Sequence, residues 1–250
     1  MNESFKKKLQ RKDLLVGTIQ TLPSPEITEI LCSAGFDWLF VDLEHSTLNS
    51  RDAQYILQAA APNFSCMIRV PVIDEVWIKK VLDAGASGII VPQVLTSEAA
   101  AQAVKLCKYP PEGVRSVGVA RAQGYGDKFQ EYVESANKET LIIIQIEHID
   151  AVNNIDSIVK VAGIDCLFVG PYDLSASMGI PGSINDPSVK SAISRVTSCA
   201  EQAGIPLGIF GTTAESVQPY IDLGYTLIAV GMDTMILGSA AKKMVDRIQR

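Results

Sequence analysis

Histidine is scarce in this sequence. Two residues in 250, His45 and His148, carry an imidazole, so acid–base chemistry near neutral pH by that group has only two places to sit. Cysteine is sparse too. Cys32, Cys66, Cys107, Cys166 and Cys199 are odd in number, widely spaced and free of any C-x-x-C pair. That argues against a disulfide framework or a thiolate metal cluster, and for buried thiols in a reducing, cytoplasmic compartment. Like charge does not accumulate beyond Lys6-Lys7-Lys8, a run that reads as a solvated helix face. The net charge is -6, and an acidic chain without a basic stripe is not expected to bind nucleic acid. No apolar run near the N-terminus has signal-peptide length, and none elsewhere approaches a membrane span. No G-x-G-x-x-G turn follows an early strand, which weakens the runner-up architecture, an open doubly wound sheet.

What the sequence does contain is a repeat. Hydrophobic residues make up 47% and charged residues 20%, a globular balance that argues against disorder. Five segments align without gaps: AGFDWLFVD from Ala34, AGASGIIVP from Ala84, AGIDCLFVG from Ala162, AGIPLGIFG from Ala203 and LGYTLIAVG from Leu223. The glycine at the second position suits a helix C-cap in the left-handed region. The mostly apolar run after it, without alternation, marks a strand buried on both faces of a parallel sheet. Helical patterns precede most of these glycines, as in SPEITEILCSAG from Ser24 and DEVWIKKVLDAG from Asp74. Ser24-Pro25 is an N-cap followed by proline at the first helical position. Three further strands, LLVGTIQ, SCMIRV and LIIIQIE, bring the count to eight. Strands alternating with helices over this length predict an α/β fold, a single (β/α)8 TIM barrel over residues 1–250. The segment from Tyr109 to Lys138, with Pro110-Pro111 and several glycines, reads as an irregular excursion near the barrel mouth.

Polar residues gather at one end of these strands. The second strand ends in Asp42, Glu44 and His45, the third in Arg69, the fourth in Pro92-Gln93 and the fifth in Gln145 and Glu147. The sixth ends in Gly170-Pro171-Tyr172-Asp173, the seventh in Phe210-Gly211-Thr212 and the eighth in Gly231 and Asp233. Barrel chemistry sits at the C-terminal strand ends. Glu147 and Asp173, from neighbouring strands, suit a hard divalent cation; a structural ion pair with Arg69 is the competing reading. Arg69 can hold a carboxylate or a developing oxyanion through its fork, or can simply be the buried partner of Asp42 or Glu44. His45 suits a general base, with Asp42 three residues earlier placed to orient its ring. Strand alternation points His148 away from Glu147. No lysine ends a strand, which removes the group that Schiff-base chemistry needs. FGTT and VGMD at the last two strand ends are thin for a phosphate cradle.

Six stretches occur in order: GFDWLFVDLEHS, RVP, LDAGASGIIVPQV, YPPEGVRSVG, IIIQIE and VGPYDLSASMG. Together, from about Val16 to Met235, the chain resembles the metal-dependent (class II) pyruvate aldolases of the HpcH/HpaI aldolase/citrate lyase family. That group includes 4-hydroxy-2-oxoheptanedioate and 2-dehydro-3-deoxyglucarate aldolases, with the citrate lyase β subunit as a more distant relative. The resemblance implies a lyase that reversibly cleaves a 4-hydroxy-2-oxo acid to pyruvate and an aldehyde through a metal-stabilised enolate. It implies Glu147 and Asp173 as ligands of a divalent metal (Mg²⁺, Mn²⁺ or Co²⁺), Arg69 on the pyruvyl keto oxygen, and His45 with Asp42 as the catalytic dyad. Gln145 is implied near the metal, and Gly170, Pro171, Tyr172 and Asp173 around the pyruvate carboxylate. It implies a homo-oligomer, a hexamer built as a trimer of dimers, with a C-terminal helix such as SAAKKMVDRIQR exchanged between subunits and Asp83 near a neighbour's site.

Tyr172, His148, Gln93 and Phe210-Gly211-Thr212 depart from the commonest residues at their positions. These changes alter the walls of the site, Phe210 included among the substrate-binding residues, and leave the aldehyde partner open. Related chemistry on oxaloacetate, decarboxylation or addition to acetyl-CoA to give citrate, is the nearest alternative. A phosphate-binding barrel and a non-enzymatic barrel are the remaining ones.

Overall fold

A computed structural model describes residues 4–60 and 64–248. Eight strands, β1 (Leu15–Gln20), β2 (Trp38–Asp42), β3 (Ser65–Arg69), β4 (Gly88–Val91), β5 (Leu141–Ile146), β6 (Cys166–Val169), β7 (Leu207–Gly211) and β8 (Leu227–Met232), form a closed parallel barrel in sequence order. Closure comes from β1 pairing with β8, Leu15 against Leu227. This is the (β/α)8 barrel that the repeat predicts.

The helices are α1 (Phe5–Gln10), α2 (Pro25–Ser33), α3 (Ser50–Ala59), α4 (Glu75–Asp83), α5 (Ser97–Cys107), α6 (Phe129–Glu139), α7 (Ile149–Asn153), α8 (Ile155–Ile158), α9 (Pro171–Ser177), α10 (Pro187–Ala203), α11 (Ala214–Asp222) and α12 (Asp233–Asp246). Local chemistry sets their starts. Ser24 accepts the Ile27 N–H at the head of α2 with Pro25 next in line, and Asp74 accepts the N–H groups of Val76 and Trp77 at the head of α4. Each such cap contributes about 1 kcal/mol. The repeat glycines Gly35, Gly85, Gly163, Gly204 and Gly224 all have positive φ, between 71° and 100°. A side chain there would strain the turn that returns each helix to the next strand.

Alternation along the strands divides the core in two. Leu39, Val41, Ile68, Ile89, Val91, Ile142, Ile144, Leu167 and Val169 face the helices. Trp38, Phe40, Met67, Ile90, Ile143, Cys166, Phe168, Leu227 and Ala229 fill the barrel, with Leu9 of α1 closing its lower end. Phe40 and Phe168 meet edge to face at 5.7 Å. Gly208 makes room for this, since a Cβ there would lie 2.5 Å from the Phe168 ring. Continuing the inward series one step up β2, β3 and β5 brings Asp42, Arg69 and Gln145 onto the top layer of the interior.

One expectation is corrected. The segment from Tyr109 onward lies at the N-terminal end of the barrel, not at its mouth. Helix α5 runs away from the mouth, and the chain beyond it stays at that far end. Arg115 Nη2 donates to Asp83 Oδ1 at 2.6 Å, and Arg121 donates to the carbonyls of Ala84 and Leu57, at the C-terminal ends of α4 and α3. The segment is also less irregular than expected, because its second part is α6. Asp83, expected near a neighbour's site, is in this chain the partner of the buried Arg115, whose guanidinium lies over the Tyr109 ring at 4.5 Å. Of the C-terminal tail, Gln249 and Arg250 lie outside the described residues, and the part up to Asp246 belongs to α12.

Candidate active site

A cavity of about 310 Å³ opens at the C-terminal end of the barrel. Asp42, His45, Arg69, Gln145, Gly170, Pro171, Tyr172, Asp173 and Phe210 all line it. Ile19, Thr21, Met232 and Thr234, from the ends of β1 and β8 and the start of α12, complete the wall and were not singled out from the sequence. Alternation on β1 and β8 was the signal for Ile19 and Met232, obscured because apolar side chains were read as core. No lysine lines the cavity.

Asp42 and Arg69 are opposite each other in the β2–β3 register. Arg69 Nε donates to Asp42 Oδ1 at 2.8 Å and Nη2 to Oδ2 at 2.7 Å. Oδ1 also accepts the backbone N–H groups of Glu44 and His45. Burial pushes the Asp42 carboxyl up, but the Arg69 fork, its charge and the two N–H groups outweigh that and hold it below the ordinary range. The guanidinium rests over the Phe40 ring at 5.1 Å, a cation–π contact that fixes its plane. Nη1 faces Gln145 Oε1 at 3.5 Å.

The expected contact between Asp42 and the His45 ring is not formed. Asp42 holds the backbone of His45, while the ring extends into the mouth with its side chain 62% exposed and Nε2 3.9 Å from Glu44 Oε2. The reason is local. The chain turns directly after β2, and Asp42 is consumed by Arg69 and the N–H groups of that turn. Glu44, read from the sequence only as a possible partner of Arg69, does lie 3.3 Å from Arg69 Nε, in the turn after β2.

Glu147 is 2% exposed. Its Oε1 accepts the Gln93 N–H at 2.8 Å, presented by a residue with φ of 54°, and its Oε2 accepts from Gln145 Nε2. Gly170 provides the space, since a Cβ there would lie 3.0 Å from Gln145 Nε2 and 3.2 Å from Glu147 Oε2. Burial pushes the Glu147 carboxyl up to about 7, eased by the Gln93 N–H and reinforced by Glu44 and Asp173. Among the described residues, no lysine, arginine or histidine forms an ion pair with Glu147 or Asp173, because Arg69 is taken by Asp42 and Glu44. No three His, Cys, Asp or Glu side chains among the described residues form a ready metal cluster. Two carboxylate donors completed by water or substrate oxygens is the manner in which Mg²⁺ is usually held, so the donor set fits a hard divalent cation.

Two expected polar groups serve the frame instead. The His148 ring turns away from Glu147, as alternation predicts, and its Nδ1 accepts the Asp150 N–H at the start of α7. Asp233, 3% exposed, accepts from the N–H and hydroxyl of Thr21 and the N–H of Leu22, tying β8 to the end of β1.

Residues 20–240 match the HpcH/HpaI aldolase/citrate lyase family. A 5-keto-4-deoxy-D-glucarate aldolase of Shigella boydii is 36% identical over 247 residues, 98% of this chain and 96% of that protein. A hydroxypyruvate/pyruvate aldolase of Paraburkholderia phytofirmans is also 36% identical, over 253 residues, 98% of this chain and 97% of that protein. The crystal structure of an HpcH/HpaI aldolase/citrate lyase family protein from Burkholderia cenocepacia superposes with a TM-score of 0.93 at 36% identity, covering 96% of this chain and 97% of the other.

Proposed function

The chain belongs to the HpcH/HpaI aldolase/citrate lyase family and is an aldolase-type carbon–carbon lyase, and from that premise we propose that it cleaves a 4-hydroxy-2-oxo acid reversibly to pyruvate and an aldehyde with a divalent metal. The observation that carries this reading is the buried Glu147 carboxylate, supplied with N–H donors but no ion-pair partner, and held by Gln145, which lines the cavity together with Asp173 and Arg69. Glu147 and Asp173 would hold Mg²⁺, Mn²⁺ or Co²⁺, which would supply Lewis-acid charge at the 2-oxo acid end of the substrate.

The chain's own residues do the rest. Arg69 donates to the keto oxygen as it becomes an enolate oxygen, from a guanidinium that Asp42 has already oriented, so little reorganisation accompanies the charge. Gln145 keeps Glu147 in place. His45 takes the 4-hydroxyl proton as the carbon–carbon bond breaks. Gly170, Pro171, Tyr172 and Asp173 surround the pyruvate carboxylate, and Tyr172 with Phe210, ring centroids 6.1 Å apart, forms the wall on the aldehyde side. Pyruvate release from 4-hydroxy-2-oxoheptanedioate and from 2-keto-3-deoxy sugar acids is the test, run after EDTA and again with metal restored. Activity that disappears with chelator and returns with metal is the expected result. Release that ignores the chelator would remove the metal from Glu147 and Asp173.

The same reading extends to the whole chain. We take residues 1–250 as one domain, since the strands that close the barrel span Leu15 to Met232. All five cysteines are free and three are buried, which supports a cytoplasmic setting. Among the described residues no helix is long and apolar enough to cross a membrane. Along α12, Met235, Ile236, Leu237, Met244 and Val245 are each at least 43% exposed. That unpartnered apolar surface supports exchange of α12 between subunits in a hexameric trimer of dimers.

A further inference from the structure

We infer that the aldehyde half of the substrate is short and uncharged, and that it lies against the seam where the barrel closes, along β7, β8 and β1. The inference rests on the aldolase reading above and names the partner that reading leaves open. Strand order in the closed barrel gives the direction. The groups read for the 2-oxo acid end, Arg69, Gln145, Glu147 and Asp173, come from β3, the end of β5 and the start of α9. The arc left to the other end of the substrate is β7, β8 and β1. There Phe210, Met232 and Ile19 line the cavity, with Thr21 and Thr234 just beyond the strand ends. A bulge shapes this wall. The β1–β8 register shifts between Gly17 and Ile19, Gly231 turns with a φ of 66°, and Ile19 comes opposite Met232. Bulges beside active sites re-aim side chains in this way. A cavity of about 310 Å³ is at the small end for a ligand site, and the 2-oxo acid end takes part of it, so the tail is short.

The charge of the tail follows from where the donors of this wall go. A strand-end turn offers an anion its N–H groups and hydroxyls, and here they are already spent. The N–H groups of Thr21, Leu22 and Thr234 and the Thr21 hydroxyl all donate to Asp233, a carboxylate that is 3% exposed. The chain thus supplies its own anion to these donors and sets a negative charge behind the wall. Among the described residues, Arg69 is the one lysine or arginine lining the cavity, and it is held by Asp42 and Glu44. His45 enters the reaction neutral, as the base that takes the 4-hydroxyl proton. Glu147 and Asp173 are offset by the divalent cation they would hold, and the 2-oxo acid carboxylate of the substrate is directed to that end. A second carboxylate at the tail would leave water for an apolar wall among like charges, with no donor to compensate it. An alkyl tail meets no such cost and gains burial against Ile19, Tyr172, Phe210 and Met232.

Two substrates that share the 2-oxo acid end and the chain length test this. Cleavage of 4-hydroxy-2-oxoheptanoate gives pyruvate and butanal, and cleavage of 4-hydroxy-2-oxoheptanedioate gives pyruvate and succinate semialdehyde. Each is assayed for pyruvate with saturating Mg²⁺. We expect kcat/KM to be about 10-fold or more higher for the monoacid. Thr234→Arg adds a cation at an exposed residue of the cavity wall, on the first turn of α12. It is expected to raise kcat/KM for the diacid relative to the monoacid by about 10-fold. Thr234→Gln, a long side chain without the charge, is expected to leave that ratio as in wild type. Equal kcat/KM for the two acids in wild type, or a preference for the diacid, overturns the inference and leaves the aldolase reading standing. A ratio that Thr234→Arg does not move overturns the placement of the tail at the seam. Pyruvate from neither acid overturns the aldolase reading, and the inference with it.

Discussion

Arg69 donates to both oxygens of Asp42 while its plane lies on Phe40. This geometry depends on the guanidinium fork and not on charge alone. Arg69→Lys keeps the charge and loses the two parallel bonds, so a lysine would sit as a point charge free to follow Asp42 or Glu44. We expect kcat to fall about 10²-fold or more, comparable to removing one oxyanion-hole donor. Steady-state kinetics on the substrate that releases pyruvate measures it, and turnover like wild type would remove Arg69 from the transition state. At this scale the sequence was partly legible. Arg69, Glu147, Asp173 and the two carboxylates after β2 were recognisable as polar interruptions of apolar strands. Which carboxylate faced which partner was not, because that depends on the β2–β3 register and on the turn after Asp42. Gln93 was equally hidden: it contributes a main-chain N–H, and side-chain identity says nothing of where a backbone donor points.

Among the elements, α12 differs from the rest. Helices α3, α4, α5 and α10 each bury several apolar residues on one face, whereas α12 buries only Asp233 at its first residue. Its exposed Leu237 and Met244 would stabilise by about 1.5–3 kcal/mol each if covered. Leu237→Asp combined with Met244→Asp is therefore expected to weaken assembly about 10²-fold or more. Sedimentation velocity against the wild type reads this, with circular dichroism confirming an intact barrel. An unchanged sedimentation coefficient in the double variant would mean that α12 is not the subunit contact. The excursion from Tyr109 teaches the converse. Its proline and glycine content marked it correctly as a departure from the repeat, but composition carries no direction. Arg115 and Arg121 fix it at the far end of the barrel by finding Asp83 and the last carbonyls of α4 and α3.

For the whole molecule, the site is a store of unfavourable charge. Glu44 and Glu147 are both pushed up to about 7, by burial first and by neighbouring carboxylates second. A carboxyl whose folded pKa lies above its unfolded value binds its proton more tightly in the native state. Protonation therefore stabilises the fold fully below about 4.5, the unfolded value, and that contribution is lost as pH rises through about 7. Asp42 works in the other direction, and its contribution is lost only as pH falls through its depressed pKa. Without metal, stability is expected to fall between pH 5 and pH 8 by about 1–2 kcal/mol, roughly 3–6 °C in Tm. Saturating Mg²⁺ should reverse the trend, because it binds the deprotonated carboxylates and its affinity rises with pH. Thermal melts across that range, with EDTA and with Mg²⁺, measure both slopes. A metal-free Tm that rises steadily from pH 5 to pH 8 would contradict the upward shift that burial gives these two groups.

The sequence by itself determined the barrel and the end of it that holds chemistry. Glycine-capped helices followed by doubly buried strands are a local pattern, and local pattern follows from backbone sterics and hydrophobic periodicity wherever the chain goes. It determined the charge types of the site as well, since Asp42, Glu44, Arg69, Gln145 and Glu147 interrupt apolar runs that otherwise have no reason to stop. Only the tertiary structure decided the pairings: Arg69 with Asp42, Gln93 N–H with Glu147, Glu44 left facing His45, and Asp233 with Thr21 across the closing seam of the barrel. Each joins residues brought together by register, by barrel closure or by a turn, and the distances that set their electrostatics exist only once the eight strands have closed.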